Sequence, residues 1–263
     1  EGKFQEIGLN LHWSDMTGGT GQMIRGLESG SLDIAVLLTE GITKSILQGL
    51  DAKILQVYVV SPLRWGIHVP NNGSIQKPED VENKTFAISR YGSGSHLMAY
   101  VMADQYNWNL EGLKFNVIGD VYGGLWALEN NEAQAFLWEK YTTSPFVEQG
   151  NCAYVGDVVT PWPCFLSAAR TEIAEKYPEI LENMCSIVNQ KALEVKNNAG
   201  STGIISWRYN LPLDQVNSWL SETDWNYEGA AYPLAFEKTT HYLKKLNLLS
   251  EEEAKGWESK LFV

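Results

Sequence analysis

The residues of this chain best equipped for chemistry sit together in Arg90-Tyr91-Gly92-Ser93-Gly94-Ser95-His96. Gly92 and Gly94 lack a Cβ, so the backbone there can take a positive φ and approach a ligand closely. Ser93 and Ser95 can turn outward and donate to that ligand, or cap a helix. Tyr91 and His96 add a phenol and an imidazole. The run follows Thr85-Phe86-Ala87-Ile88-Ser89, which reads as a buried strand, and leads into a helix that reaches Tyr106. Strand, glycine-serine turn and helix form the geometry in which unpaired N–H groups converge on a polar or anionic ligand. An ordinary turn with a serine cap fits the same residues, and sequence alone leaves both open.

Other chemistries fail on spacing. Gly92-Ser93-Gly94 begins a dinucleotide fingerprint, but its third glycine would fall at Leu97. No Walker A lysine and no Gly-x-Ser-x-Gly elbow occur, so neither nucleotide hydrolysis nor serine hydrolysis is supported. His12, His68, His96 and His241 are widely separated with no HxxxH or HExxH pattern, and read as core or surface histidines. Only His96 is placed to matter, at a helix start where the dipole disfavours its cation. No catalytic residue, metal or cofactor is expected.

The elements that must hold these groups come from 263 residues, which favours two lobes or one large α/β domain. Hydrophobic residues at 44% and charged residues at 20% mark a globular chain rather than a disordered one. Ten Trp and twelve Tyr are enough to wall a cleft for a flat organic ligand as well as to fill a core. A net charge of −12 without a basic stripe argues against nucleic acid or an anionic membrane as partner. No apolar run approaches the roughly 20 residues of a bilayer span.

Cys152, Cys164 and Cys185 show no CxxC spacing. One disulfide or three thiols are both compatible; three buried thiols are expected, which favours a reducing, cytoplasmic compartment. The opening Glu1 to Leu9 reads as the end of a helix and the turn into a strand. An upstream strand and helix are therefore expected to be missing here, and a periplasmic location with a removed signal is the alternative.

Along the chain, strands and helices alternate. Strands are expected at Leu9–Trp13, Asp33–Leu38 (a parallel one), Ile54–Val60, Ser61–Pro70, Thr85–Ser89, Lys114–Ile118, Gln134–Trp138, Tyr154–Gly156 and Cys164–Ala169. Helices are expected after Thr17, after Thr39, from Gly94, Tyr122 and Glu139, and then at Ala174–Asn197, Gly203–Tyr209, Pro212–Ser221 and Leu234–Leu246, with a loop over Thr223–Pro233. This is an α/β fold with an open, mostly parallel sheet. Ligands bind outside the carboxyl ends of such strands, so Ser14–Thr17 and Thr39–Gly41 are candidate cleft walls, or helix caps only. The expected division is 1–68 with 168–263 as one lobe and 69–167 as the other.

Six segments taken in order resemble a known superfamily. They are Gly18-Gly19-Thr20-Gly21-Gln22-Met23, Ser29 to Ala35, Leu38-Thr39-Glu40-Gly41, Arg90 to His96, Leu137-Trp138-Glu139-Lys140 and Thr160-Pro161-Trp162-Pro163-Cys164. Together they resemble type 2 periplasmic binding proteins, in the branch that reads sulfonates, nitrate, taurine and thiamine-pyrimidine precursors. The resemblance covers most of residues 1–250. It implies a two-lobed fold with an interlobe ligand cleft, a small-molecule ligand and an ABC transporter permease as a possible partner, without direct membrane insertion. Carried over by position, the ligand-facing residues are Gly19, Thr20, Thr39, Glu40, Tyr91, Gly92, Ser93, Gly94, Ser95, His96, Trp138, Glu139 and Trp162.

Thr20, Thr39, Ser93 and Ser95 would supply hydroxyls, and Trp138 and Trp162 flat walls. Glu40 and Glu139 would disfavour an anion, which points to a neutral or amino-bearing heterocycle over a sulfonate-like compound. Glu139 reads equally as a carboxylate at a helix start. The same superfamily includes the fungal thiamine-pyrimidine synthase, with its cysteine-rich iron segment, pyridoxal phosphate and histidine. Here the matching stretch holds a single Cys164. A binding protein is expected, not an enzyme, with a ligand sensor as a further alternative.

Overall fold

A computed structural model describes residues 2–16, 18–227 and 233–262. Thr17, and 228–232 of the loop expected over Thr223–Pro233, lie outside the described residues. The chain divides into two compact units, Glu1–Pro62 with Pro161–Val263, and Leu63–Thr160.

The first unit opens with α1 (Lys3–Glu6), α2 (Gly19–Ser29), β1 (Ile34–Leu38), α3 (Thr39–Leu47) and β2 (Ala52–Val59). The second holds β3 (Arg64–Val69), β4 (Thr85–Ile88), α4 (Gly94–Gln105), β5 (Lys114–Val117), α5 (Val121–Glu129), β6 (Ala135–Glu139), α6 (Lys140–Glu148) and β7 (Ala153–Val159), with short 3-10 turns at Pro78–Val81 and Leu110–Gly112. The chain then returns to the first unit with β8 (Phe165–Arg170). The helices α7 (Thr171–Lys176), α8 (Pro178–Asn197), α9 (Ser201–Tyr209), α10 (Leu213–Glu222), α11 (Pro233–Lys245), α12 (Glu251–Ala254) and α13 (Trp257–Leu261) follow.

In the first unit the sheet order is β1-β8-β2, with β8 antiparallel to both neighbours. The strand expected to be parallel at Asp33–Leu38 is therefore antiparallel to its partner, with Ile34 opposite Ala169 and Leu38 opposite Phe165. An apolar run reports burial and not strand direction. Leu9–Trp13 forms no strand: among the described residues it has no ladder partner, and Leu11 and Trp13 are exposed. Alternation cannot hold a strand without a neighbour to bond. Leu9 instead joins Phe4 and Ile7 against Ala169, Ala174, Leu181 and Met184. The helix expected over Ala174–Asn197 is two, α7 and α8. Pro178 lacks the N–H and keeps Tyr177 out of helical geometry, at φ −131°. The final helices α12 and α13 were not expected, although Ser250 and Glu253 form a capping box that was there to be read.

In the second unit the order is β5-β4-β6-β3-β7; β5, β4 and β6 run parallel, and β3 is antiparallel to β6 and β7. Its core gathers Ala87, Phe136 and Cys152 with Ala127 and Leu128 of α5. His68, read as a core or surface histidine, is buried here. Its Nδ1 lies 3.2 Å from the Phe136 carbonyl and its Nε2 2.7 Å from Thr143 Oγ1, so the ring ties β3 to β6 and α6. All three cysteines are free thiols, Cys152 and Cys164 buried and Cys185 half-buried.

Burial drives the His68 pKa from the usual 6.5 down to about 4, against the pull of the Phe136 carbonyl. Between those values the unfolded chain binds a proton that the folded chain refuses, so stability drops as pH falls from 6.5 to 4. The expected loss from this one group is about 3 kcal/mol. The contribution is read as a difference: between pH 7 and pH 4 the urea unfolding midpoint of His68→Gln should drop less, or rise more, than that of the parent chain.

Candidate functional site

The parallel strands β4, β5 and β6 end at one edge of the second sheet, and each hands over to a helix that begins there. The first N–H groups of a helix have no partner within it, so each start must be satisfied from elsewhere. At α4 the cap is Ser93, whose Oγ accepts from the His96 N–H at 3.3 Å. At α5 it is Asp120, whose carboxylate accepts from the Gly123 N–H at 2.9 Å. At α6 it is Glu139, whose carboxylate accepts from the N–H groups of Tyr141 and Thr142 and from the Thr142 hydroxyl.

The turn before α4 is closed by its own side chains. Gly92 sits at φ +75°, a conformation that strains any residue with a Cβ. Its N–H donates to His96 Nδ1 at 3.1 Å, which places the ring proton on Nε2. Ser95 Oγ accepts from the Ser89 N–H at 2.9 Å and lies 3.1 Å from Ser93 Oγ. Ser93, Ser95 and His96 are buried, while Tyr91 is 66% exposed. The imidazole meets Tyr91, Tyr100 and Phe115 edge-on, with centroids at 5.3, 5.1 and 4.7 Å. The run Tyr91–His96 is thus one packed cluster. Trp138 belongs to another, against Phe136 at 5.2 Å and beside Phe146.

In the first unit Thr20, Thr39, Glu40 and Trp162 come together around the start of α3. Thr20 Oγ1 accepts from the Leu38 N–H at 3.2 Å. Gly41 leaves room for it: a Cβ there would stand 2.5 Å from Thr20 Cγ2. Thr39 donates its N–H to the Cys164 carbonyl and its hydroxyl to the Pro163 carbonyl at 2.6 Å. Trp162 donates its indole N–H to Glu40 Oε2 at 3.0 Å. Both partners are buried, at 3% and 5% exposure. Burial pushes the Glu40 carboxyl from 4.5 up to about 7, opposed by its own backbone N–H and by the Trp162 indole. Gly19, half-buried at the start of α2, has no other heavy atom within 4 Å of a built Cβ.

The candidates therefore form two sets, Gly19, Thr20, Thr39, Glu40 and Trp162 in one unit, and Tyr91–His96, Trp138 and Glu139 in the other. Sequence reasoning passed over Asp120 and Tyr122. Tyr122 is 68% exposed and meets Phe146 edge-on at 5.9 Å, on the helix that starts beside α4's edge. The signal was the same as at Ser93, a polar residue between a strand end and a helix. Lys140 and Arg64, at the β6 and β3 ends of this edge, share Asp157 at 3.5 and 3.4 Å.

Two α/β units of this composition, each with helices rising from strand ends, have the periplasmic-binding-protein fold. Residues 65–158 match the family described as Ca3427-like PBP. The Candida albicans CA3427 gene product, reported to define a new family with the generic periplasmic binding protein fold, superposes with a TM-score of 0.88 at 22% identity, over 99% of this chain and 89% of that one. The alkanesulfonate-binding protein SsuA from Xanthomonas axonopodis pv. citri, bound to MOPS, gives 0.77 at 16% identity over 95% and 88%. A ligand-binding component of an ABC-type import system from Staphylococcus aureus, with zinc bound, gives 0.74 at 12% over 99% and 90%. No curated protein sequence matches the chain.

The turn geometry separates two neighbouring residues sharply. Ser95→Ala leaves the Ser89 N–H without its acceptor and is expected to cost about 1–2 kcal/mol, whereas Tyr91→Ala removes an exposed ring and should stay within about 0.5 kcal/mol of the parent. Urea denaturation of both variants checks the contrast.

Proposed function

We propose that this chain is a non-enzymatic solute-binding protein that takes a small organic molecule with an oxygen-rich anionic head, of the sulfonate type. The observation that carries this reading is the start of α4. Of the three helices that begin at the parallel edge, α5 and α6 are capped by carboxylates, and α4 by the neutral hydroxyl of Ser93. The N–H groups of Gly94 and Ser95 at its first positions have no acceptor within the helix, and the positive pole there is uncompensated. Such a start favours an anion over an amine.

The case for an amino-bearing heterocycle came from Glu40 and Glu139. Glu139 accepts three hydrogen bonds from its own helix start, and Glu40 is buried against Trp162. With both carboxylates engaged in this way, the reading favours an anion at α4 over an amine at either of them. The bound MOPS of the similar SsuA supports a sulfonate. The Staphylococcus aureus import component supports a transporter as partner. In this reading the head group lies at Gly94 and Ser95, and Tyr91, Tyr122 and Trp138 supply apolar walls.

Calorimetric titration with MOPS, a short alkanesulfonate and an uncharged aminopyrimidine tests the reading. Both sulfonates should bind and the aminopyrimidine should not. Ser93→Asp keeps a good cap but places a carboxylate where the head group sits, so sulfonate affinity should fall at least about tenfold, some 1.4 kcal/mol. Binding of the aminopyrimidine alone, or sulfonate affinity untouched by Ser93→Asp, would overturn the assignment.

A further inference from the structure

The chain passes from the second unit back to the first through Pro161-Trp162-Pro163-Cys164. This stretch carries no regular structure, and its two prolines can donate no backbone hydrogen bond. What fixes it to the first unit is a small set of bonds. The Cys164 N–H donates to the Ser61 carbonyl at 3.1 Å. The Pro163 carbonyl accepts from the Thr39 hydroxyl, and the Cys164 carbonyl from the Thr39 N–H. To these the Trp162 side chain adds its bond to Glu40, a buried indole N–H on a buried carboxyl.

We propose that Glu40 is a proton-controlled fastening for this return segment, holding Trp162 in place as a neutral carboxyl and loosening it when it ionises. The chemistry follows from where the carboxyl stands. A neutral carboxyl accepts the indole N–H at little desolvation cost. The carboxylate forms a stronger bond with the same donor, but one neutral N–H and one backbone N–H do not replace the water an ion needs.

The groups facing the pair are few. Tyr242 of α11 meets the Trp162 ring edge-on at 5.7 Å, Thr39 and Thr43 flank Glu40 on α3, and Lys44 lies one turn further along the same helix. Among the described residues, what offsets the burial of Glu40 is its own backbone N–H and the Trp162 indole, not a charged side chain. Loss of the proton therefore draws the carboxylate toward solvent, and the indole goes with it or loses its acceptor. Thr43, one turn along α3 from Glu40, keeps its Oγ1 buried without a hydrogen-bond partner. The proposal concerns a bond inside one unit and stands apart from the identity of the solute.

The experiment is a pH titration of the intact chain labelled with nitrogen-15 at tryptophan and carbon-13 at the glutamate carboxyl. The absence of one indole signal in Trp162→Phe assigns Trp162 among the ten tryptophans. The Trp162 indole N–H should shift in a single step with a midpoint near pH 7, the value to which burial pushes Glu40, together with the Glu40 carboxyl signal. Its hydrogen exchange should accelerate above that midpoint beyond the ordinary base-catalysed rise. Glu40→Gln keeps an acceptor oxygen and removes the proton, so its Trp162 signal should stay flat from pH 5 to 9 with slow exchange throughout. A Trp162 signal that is flat in the parent chain, or a Glu40 carboxyl that titrates near 4.5, would overturn the proposal. The carboxyl titration reads the parent chain directly, so the test holds even if Glu40→Gln folds poorly.

Discussion

A helix cannot begin without finding acceptors for its first N–H groups, and this requirement organises the edge of the second sheet. Three helices rise from neighbouring parallel strands, and each takes its cap from the residue at the strand end or just beyond it. The caps are not interchangeable. Asp120 and Glu139 bring a full negative charge to the positive pole of their helices, while Ser93 brings only a dipole. Because an uncapped start is costly in a buried setting, these side chains are committed before any solute arrives. That commitment gives Glu139 a structural role at the start of α6. It also leaves α4 as the electrostatically open member of the three.

The same logic of prior commitment governs the first unit, with burial in place of capping. Thr20, Thr39, Glu40 and Trp162 are spent on one another and on backbone groups around the start of α3. Their bonds join segments that lie far apart in sequence, such as Thr39 with Pro163 and Glu40 with Trp162. Hydroxyls used this way gain about 1 kcal/mol each and avoid the larger penalty of an unpaired buried group. A buried carboxyl is less economical, since its charged form finds too few donors where it stands. The fold keeps the group neutral over part of the ordinary pH range, and a proton becomes one of its structural parts.

Much of the fold was legible in the chain because burial and punctuation were strong. The run from Thr85 to His96 showed strand, positive-φ glycine and a serine able to cap in order, and the structure has β4, Gly92 at positive φ and the Ser93 cap in that order. Gly30 closes α2 with φ +74°, again as its position after an apolar-faced helix implied. What could not be read was pairing. The direction of β1 depends on β8, which is more than a hundred residues away in the chain, and the alternation at Leu9–Trp13 looks the same whether or not a neighbouring strand exists. The partners of the site side chains were illegible for a related reason: Glu40 and Glu139 carry the right atoms for a ligand, and only the fold shows that Trp162 and the first turn of α6 bond to them. Asp120 was overlooked because a cap and a contact share one signature, a polar residue between strand and helix.

A net charge of −12 sits badly with the anionic solute we propose, yet distance resolves the conflict. At physiological ionic strength exposed charges more than about 8 Å apart scarcely feel one another, so the sum over the surface sets solubility and not local preference. What an anion meets at the parallel edge is the open pole of α4, with Lys140 and Arg64 along the same edge. Those two cations both approach the Asp157 carboxylate. Backbone N–H groups also suit an anion better than free lysines do, because they are oriented before binding and lose little entropy on contact. An acidic protein can therefore hold an anion, provided the few donors at the site are fixed in advance and the acidic side chains nearby are already engaged. In the second unit both conditions come from the same three caps.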